Sequence, residues 1–306
     1  MPITILIFVD GLGWGPPDPA VNPQHAYGGD VFRLGDVAAA LDGPVPAAHG
    51  GWARAIDAVL GVPGVPQSAT GQTTLLSGVN SQAAIGQHLT GFPNEALRGI
   101  LREHSVLRQL AGLGVPARFL NAFRPRFWEL PVEKQWTLSA TTIANLAAGL
   151  PFFTLDDVAA GRSIYQDFTN AELIARGFTV PPLDAAAAGR VLARAALAGG
   201  GFTLYEYFLS DKAGHTGDAA AIAAELVKLD GFVGAALAGL RPELDGGQAL
   251  VLLTSDHGNL EDATTRRHTT NPVPLLAWGA RARDLAAGVT RLDQVTPAIV
   301  ARHAGA

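Results

Sequence analysis

One apolar run in this chain ends in a carboxylate and an imidazole side by side. Residues 249–253 are Ala-Leu-Val-Leu-Leu, and Thr254-Ser255 leads on to Asp256-His257-Gly258. An unbroken run of this kind reads as a strand buried on both faces of a parallel sheet. Open α/β sheets gather their ligands just outside the carboxyl ends of the strands, where Asp256 and His257 fall. The chemistry such a pair offers is metal ligation. Neighbouring residues of a strand point to opposite faces, so the two can share an ion only if the strand stops at or before Asp256 and the backbone turns at Gly258.

The rest of the chain supplies partners. Residues 3–9 are a second apolar run ending in Asp10, and residues 202–209 a third that leads into Ser210-Asp211-Lys212-Ala213-Gly214-His215. Asp211 and His215, four apart, can lie on one side of a helical turn and reach one ion. His268 precedes the last such run, at 272–278. Alone, Asp10 is as readily a turn former or helix cap as a ligand. Taken together, three acids that close strands and three imidazoles suit zinc or manganese. The chain has no cysteine, so thiolate ligation and disulfides are excluded. One catalytic ion with an open position needs fewer than six such groups. Two ions roughly 4 Å apart would use them all, and that arrangement serves in-line displacement at phosphorus.

A nucleophile is offered by Gln67-Ser68-Ala69-Thr70-Gly71-Gln72-Thr73-Thr74, a hydroxyl-rich stretch that reads as the start of a helix. Capping is the ordinary work of a hydroxyl there. The alternative is chemistry, because the positive end of the helix dipole and its free N–H groups stabilise an alkoxide and bind phosphate. Spacing alone does not separate Ser68 from Thr70. His88, in the following loop, is a substrate-side candidate, although a lone histidine is more often structural. Arg124 and Arg126 are candidate contacts for an anionic substrate.

Composition bounds these readings. The 306 residues are 48% hydrophobic and 16% charged, enough for one large α/β domain with a sizeable core. A net charge of −5 and a pI near 5.9 argue against a nucleic-acid partner, which would meet a clustered basic surface. No run approaches the roughly 20 apolar residues that span a bilayer. The amino-terminal run lacks a basic flank and ends in Asp10 rather than a cleavage site, so it is expected to be the first strand of a cytoplasmic protein. Gly11, Gly13 and Gly15 superficially suggest a dinucleotide fingerprint, but Pro16-Pro17 follows in place of a helix.

The elements that must position these residues follow from pattern. A short helix is expected at 53–60, a helix with an apolar stripe at 95–114, and a strand at 117–123. Residues 124–180 show no βα alternation and read as an excursion from the sheet, either a lid over the site or plain surface structure. Regular order returns with an Ala-rich helix at 184–198, the strand at 202–209, an amphipathic helix at 221–240 and a closing helix at 292–303. The expected architecture is a three-layer αβα sandwich with a mostly parallel central sheet and a small lid-like insertion, as a single domain over 1–306.

In this order, Asp10-Gly11, Ser68 heading its helix, Asp211-Lys-Ala-Gly-His215, Ser255-Asp256-His257-Gly258, and His268 before Pro272-Val-Pro-Leu-Leu, the chain resembles the alkaline phosphatase superfamily. The nearest branches are the cofactor-independent phosphoglycerate mutases and related metalloenzyme domains, with the nucleotide pyrophosphatase/phosphodiesterases more distant. The resemblance implies that Asp211, His215 and His268 hold one divalent ion, Mn or Zn. Asp10, Asp256 and His257 would hold another, with the Ser68 oxygen as a further ligand. It selects Ser68 over Thr70, since the family's nucleophile begins a helix that meets a glycine about three turns later, as Gly78 does here. It further implies that the Ser68 oxygen, acidified by one ion, attacks phosphorus and then passes the phosphoryl group to water or to another hydroxyl. The mutases of this group insert a large second domain after the nucleophile, and a mutase must keep its intermediate from water. The short 124–180 excursion therefore favours a phosphatase, acting on a small phosphomonoester or phosphodiester. A phosphomutase and a non-catalytic metal-binding domain are the alternatives. A sulfatase lacks its Cys/Ser-x-Pro-x-Arg signature here.

Overall fold

The computed structural model describes residues 2–305. Among these, seven strands form one sheet: β1 (Ile3–Val9), β2 (Val45–Ala47), β3 (Gly51–Ile56), β4 (Ala117–Phe119), β5 (Phe202–Tyr207), β6 (Ala249–Thr254) and β7 (Val273–Gly279). Their order is β2-β3-β7-β6-β1-β5-β4. The run β4-β5-β1-β6 is parallel, while β7, β3 and β2 join antiparallel at one edge. The mixed α/β fold with a parallel sheet centre is the one expected.

The central strands are apolar throughout because both their faces are covered. Ile5, Ile7 and Val9 of β1 enter one core with Val251 and Leu253 of β6, and the alternate residues Leu6, Phe8, Leu250 and Leu252 enter the other. The helices Ala185–Gly199 and Ala219–Gly239 cover the first face, and a Cβ on Gly189 would run into the Phe232 carbonyl where they cross. The second face carries Ser68–Ser77, Glu95–His104, Val106–Gly112, Ala140–Ala147 and Val295–Ala304. Asp184 and Asp218 start the two long helices by accepting the amides of Ala187 and Ala220.

Several boundaries differ from expectation. Residues 53–60 are not a helix; the first half of them belong to β3, which pairs with β7 from Trp52↔Ala277 to Ile56↔Val273. Gly51, Ala53 and Ala55 are buried while Trp52 and Arg54 are half-buried, a period of two. Pairing with β7 overrides the helical preference of its alanines. The helix at 95–114 is two helices, because Ser105 is extended (φ −59°, ψ 142°) and ends one while starting the other. β4 stops at Phe119 and β5 at Tyr207, both short of their expected ends.

The 124–180 excursion is not uniform. Its helix Ala140–Ala147 is buried in the second core beside the Ser68–Ser77 helix. Short helices at Arg126–Glu129, Val132–Gln135, Leu155–Ala159 and Ala171–Ala175 make up much of the remainder. No helix among the described residues is long and apolar enough to cross a membrane.

Leu252, fully buried at the sheet centre, tests this account of the core. Leu252→Ala should lower unfolding free energy by about 2–5 kcal/mol in denaturant titrations. Val227→Ala, at a residue 62% exposed, should change it by no more than about 0.5 kcal/mol.

Candidate metal centre

Strand register brings the ligands together. Pairing of Val9 with Tyr207 and of Phe8 with Thr254 levels the carboxyl ends of β5, β1 and β6. Asp10 follows β1 directly. β6 stops at Thr254, as a shared ion requires, and Asp256 and His257 sit in the turn beyond it. Asp211 is not a strand-end acid: it stands in the first turn of the helix Leu209–Thr216, with His215 one turn on. The acid within β5 itself is Glu206.

Two clusters result, each with its ligand atoms within 4.8 Å of one another: Asp211, His215 and His268, and Asp10, Asp256 and His257. In the first, the Nε2 atoms of His215 and His268 lie 3.3 and 3.5 Å from Asp211 carboxylate oxygens. In the second, His257 Nε2 is 3.3 Å from Asp10 Oδ1 and 3.4 Å from Asp256 Oδ2. The clusters adjoin, since the His257 and His268 rings stack at 3.7 Å.

The donor set fits divalent cations. His215 Nδ1 and His268 Nδ1 face the carbonyls of Arg266 and Pro66 at 2.7 and 3.1 Å. A carbonyl only accepts, so each neutral ring carries its proton on Nδ1 and turns the Nε2 lone pair inward. These two Nε2 atoms are 3.1 Å apart, a contact that calls for a positive charge between or on them. Asp10 Oδ1 and Asp256 Oδ2 are buried with no hydrogen-bond donor, an expensive state unless a cation meets them.

Electrostatics point the same way. Burial, reinforced by Asp256, Asp211 and Glu206, pushes the Asp10 carboxyl well above the ordinary range. Burial pushes Asp211 up too, but the His268 bond, His257 and Asn259 outweigh it and bring the carboxyl down to about 2. Burial lowers the His257 imidazole and keeps it neutral, the form that ligates.

Ser68 is the first residue of its helix, whose cap is Gln67 with no side-chain cap bond. Its hydroxyl is therefore free of capping and lies 3.0 Å from His257 Nε2. Thr70 is engaged elsewhere: its hydroxyl donates to the Gln67 carbonyl and accepts the Leu89 amide. A Cβ on Gly71 would stand 2.7 Å from the Asp256 carbonyl, so this glycine lets the helix approach the ligand turn. Arg124 and Arg126 line a cavity of about 660 Å³ together with Ser68, Asp10 and Asp211. His88 does not line it, and its Nε2 meets the Val62 carbonyl at 3.0 Å.

Comparison with known proteins gives three findings. Residues 178–304 match the family model described as the Metalloenzyme superfamily. A 2,3-bisphosphoglycerate-independent phosphoglycerate mutase of Dinoroseobacter shibae is 39% identical over 111 residues, 34% of this chain and 21% of the relative, so the match spans about a fifth of that protein's length. The alkaline phosphatase of the Antarctic bacterium TAB5 superposes over 99% of both chains with a TM-score of 0.55 at 15% identity. The fold is alkaline phosphatase-like. A mutant of the TAB5 enzyme, with magnesium bound in its M3 site, gives 0.56 at 14% identity over 99% of this chain and 98% of its own.

The site has further members that the sequence does not single out. Glu206 is buried, accepts the Thr141 hydroxyl at 2.6 Å and lines the cavity; its signal was a lone acid inside an apolar strand. Gln72 Nε2 donates to Asp10 Oδ2 at 3.0 Å, and Asn259 Nδ2 to Asp211 Oδ1 at 2.7 Å. Glu261, fully buried, accepts the amides of Gly13 and Asn259 and the side chains of Thr269 and Asn271. It thereby ties together the loops that carry Asp10, Asp256 and His268.

Burial, with a contribution from Asp256, raises the Glu206 carboxyl from 4.5 to about 7 despite the Thr141 bond. In chelated protein the folded state thus keeps a proton that the unfolded chain releases near 4.5. Stability from this group is complete below that pH and is lost as the pH rises through about 7. Urea unfolding of chelated wild type and Glu206→Gln should show wild type losing roughly 3 kcal/mol relative to the variant across that window. A pH-independent difference contradicts the assignment.

Proposed function

We propose that this protein is a phosphatase of two divalent ions, Mn or Zn, that hydrolyses a small phosphate ester through a phosphoserine at Ser68. The observation that carries the reading is the position of the Ser68 hydroxyl, free of capping at the half-buried start of its helix and 3.0 Å from His257 Nε2. A serine beside a histidine also suggests an acyl-transfer triad, and the geometry argues against one. A triad carboxylate orients the histidine through Nδ1, whereas His257 Nδ1 faces the Gly258 carbonyl and both carboxylates approach Nε2.

Asp211, His215 and His268 would hold one ion, and Asp10, Asp256, His257 and the Ser68 oxygen the other. The bound ions would supply acidification of the Ser68 hydroxyl and charge neutralisation at the departing oxygen. Ser68 Oγ forms its bond to phosphorus as the bond to the substrate alcohol oxygen breaks. The departing oxygen takes a proton from water, and the serine proton passes to water. Attack of a water on phosphoserine then restores Ser68 and releases phosphate. Amides of the first turn of the Ser68–Ser77 helix are suited to the non-bridging oxygens, with Arg124, Arg126 and Lys212 as further cations on the cavity wall.

Residues 124–180 act as a partial lid on a single catalytic domain, since Arg124, Arg126, Phe127, Tyr165 and Gln166 line the cavity while Ala140–Ala147 packs into the core. So partial a cover suits a reaction that admits water. A phosphomutase is the second reading, supported by the 39% identity to the Dinoroseobacter mutase.

Ser68→Ala should cut turnover of 4-nitrophenyl phosphate by at least about a thousandfold while leaving metal content unchanged. Near-wild-type turnover in that variant excludes the covalent route. Transfer of phosphate between substrate hydroxyls without release to solvent would favour the mutase.

A further inference from the structure

We infer that the alcohol half of the substrate is an apolar, ring-bearing group rather than a small polyol or hydroxy acid. The inference rests on the reading of Ser68 as the phosphoryl acceptor, and names what that site accepts. The cavity that opens from Ser68, Asp10 and Asp211 continues along a wall of Phe92, Phe119, Phe123, Phe127, Leu130 and Leu138. Its volume of about 660 Å³ is in the range that encloses a ring-sized organic ligand and well beyond a three-carbon phosphate.

The wall is preformed. The Phe123 ring lies 4.6 Å from Phe127 and 4.8 Å from Phe152, tilted or edge-on, and 6.1 Å from Phe119. Offset and edge-on packing of this kind holds rings in fixed orientations and presents faces and edges to a further ring. Phe127 is buried, whereas Phe92 is 65% exposed at the cavity, where an apolar occupant would remove it from water.

The cavity also carries charge. Arg124, Arg126 and Lys212 line it along with the acids and Ser68, and they complement a phosphate. A substrate carboxylate or several hydroxyls laid against the phenylalanine wall would lose their water without gaining partners. Cations for a phosphate and an apolar wall for the remainder thus suit a ligand with one anionic part and one apolar part.

Calorimetry with non-hydrolysable phosphonates on the metal-loaded protein tests this separately from turnover. 2-Phenylethylphosphonate should bind at least about tenfold more tightly than ethylphosphonate. Phe92→Ala and Leu130→Asp should each reduce that ratio severalfold. The expected preference without hydrolysis of any phosphate ester would uphold the inference and overturn the phosphatase reading. Equal affinities, binding of neither phosphonate, or a ratio that neither substitution lowers would overturn the inference itself.

Discussion

Four carboxylates, those of Asp10, Asp211, Asp256 and Glu206, converge at the carboxyl edge of this sheet, three of them buried and the fourth nearly so. Like charges at 4.8 Å, the outer limit within a ligand cluster, repel by roughly 3 kcal/mol even at an effective dielectric of about 20. Burial, reinforced by this repulsion, raises the carboxyls of Asp10 and Glu206, while the His268 hydrogen bond, His257 and Asn259 bring Asp211 down. A fold that keeps such a group together needs cations in the middle of it. The inward-facing lone pairs of His215, His257 and His268 make the same demand.

Holding the cluster is the task of the surrounding structure. Parallel register sets the ends of β5, β1 and β6 level, and the two hydrophobic cores make that register costly to shift. Gly11, at φ +70°, lets the chain turn directly after Asp10; a Cβ there would stand 2.6 Å from Asp211 Oδ1. Glu261 joins the ligand-bearing loops with a carboxylate whose oxygens are all used in hydrogen bonds. Gln72 links the Ser68 helix to Asp10. The proposed nucleophile is thus placed by the same contacts that place the proposed ligands.

The six candidate ligands, three acids and three imidazoles, were legible because parallel strands deliver their chemistry at one edge, so an acid or imidazole just past an apolar run carries positional meaning. That rule puts Asp10, Asp256 and His257 just past strands, where the fold has them, and misdescribes Asp211, whose strand ends earlier and whose carboxylate projects from a helix. Ser68 and Thr70 became distinguishable only in three dimensions, where the Leu89 amide and Gln67 carbonyl occupy Thr70. β3 was misread because alanine favours helices and no local signal announces its partner β7. The aromatic wall was illegible for another reason: Phe92 lies in a loop, Phe119 ends β4 and Phe127 sits in the short helix Arg126–Glu129, and no periodicity links residues that meet only in the tertiary fold.

The division of labour is then simple. In the proposed function, the sheet edge would supply a charge trap for cations, the Ser68 helix the phosphoryl acceptor, and residues 91–139 much of the surface facing the rest of the substrate. The claim at the centre is that the two ligand clusters are two adjacent cation sites. Anomalous diffraction from crystals grown with manganese or zinc tests it most directly. The account predicts two peaks roughly 4 Å apart, one among Asp211, His215 and His268 and the other among Asp10, Asp256, His257 and Ser68. A single peak, or peaks outside these residues, would contradict it.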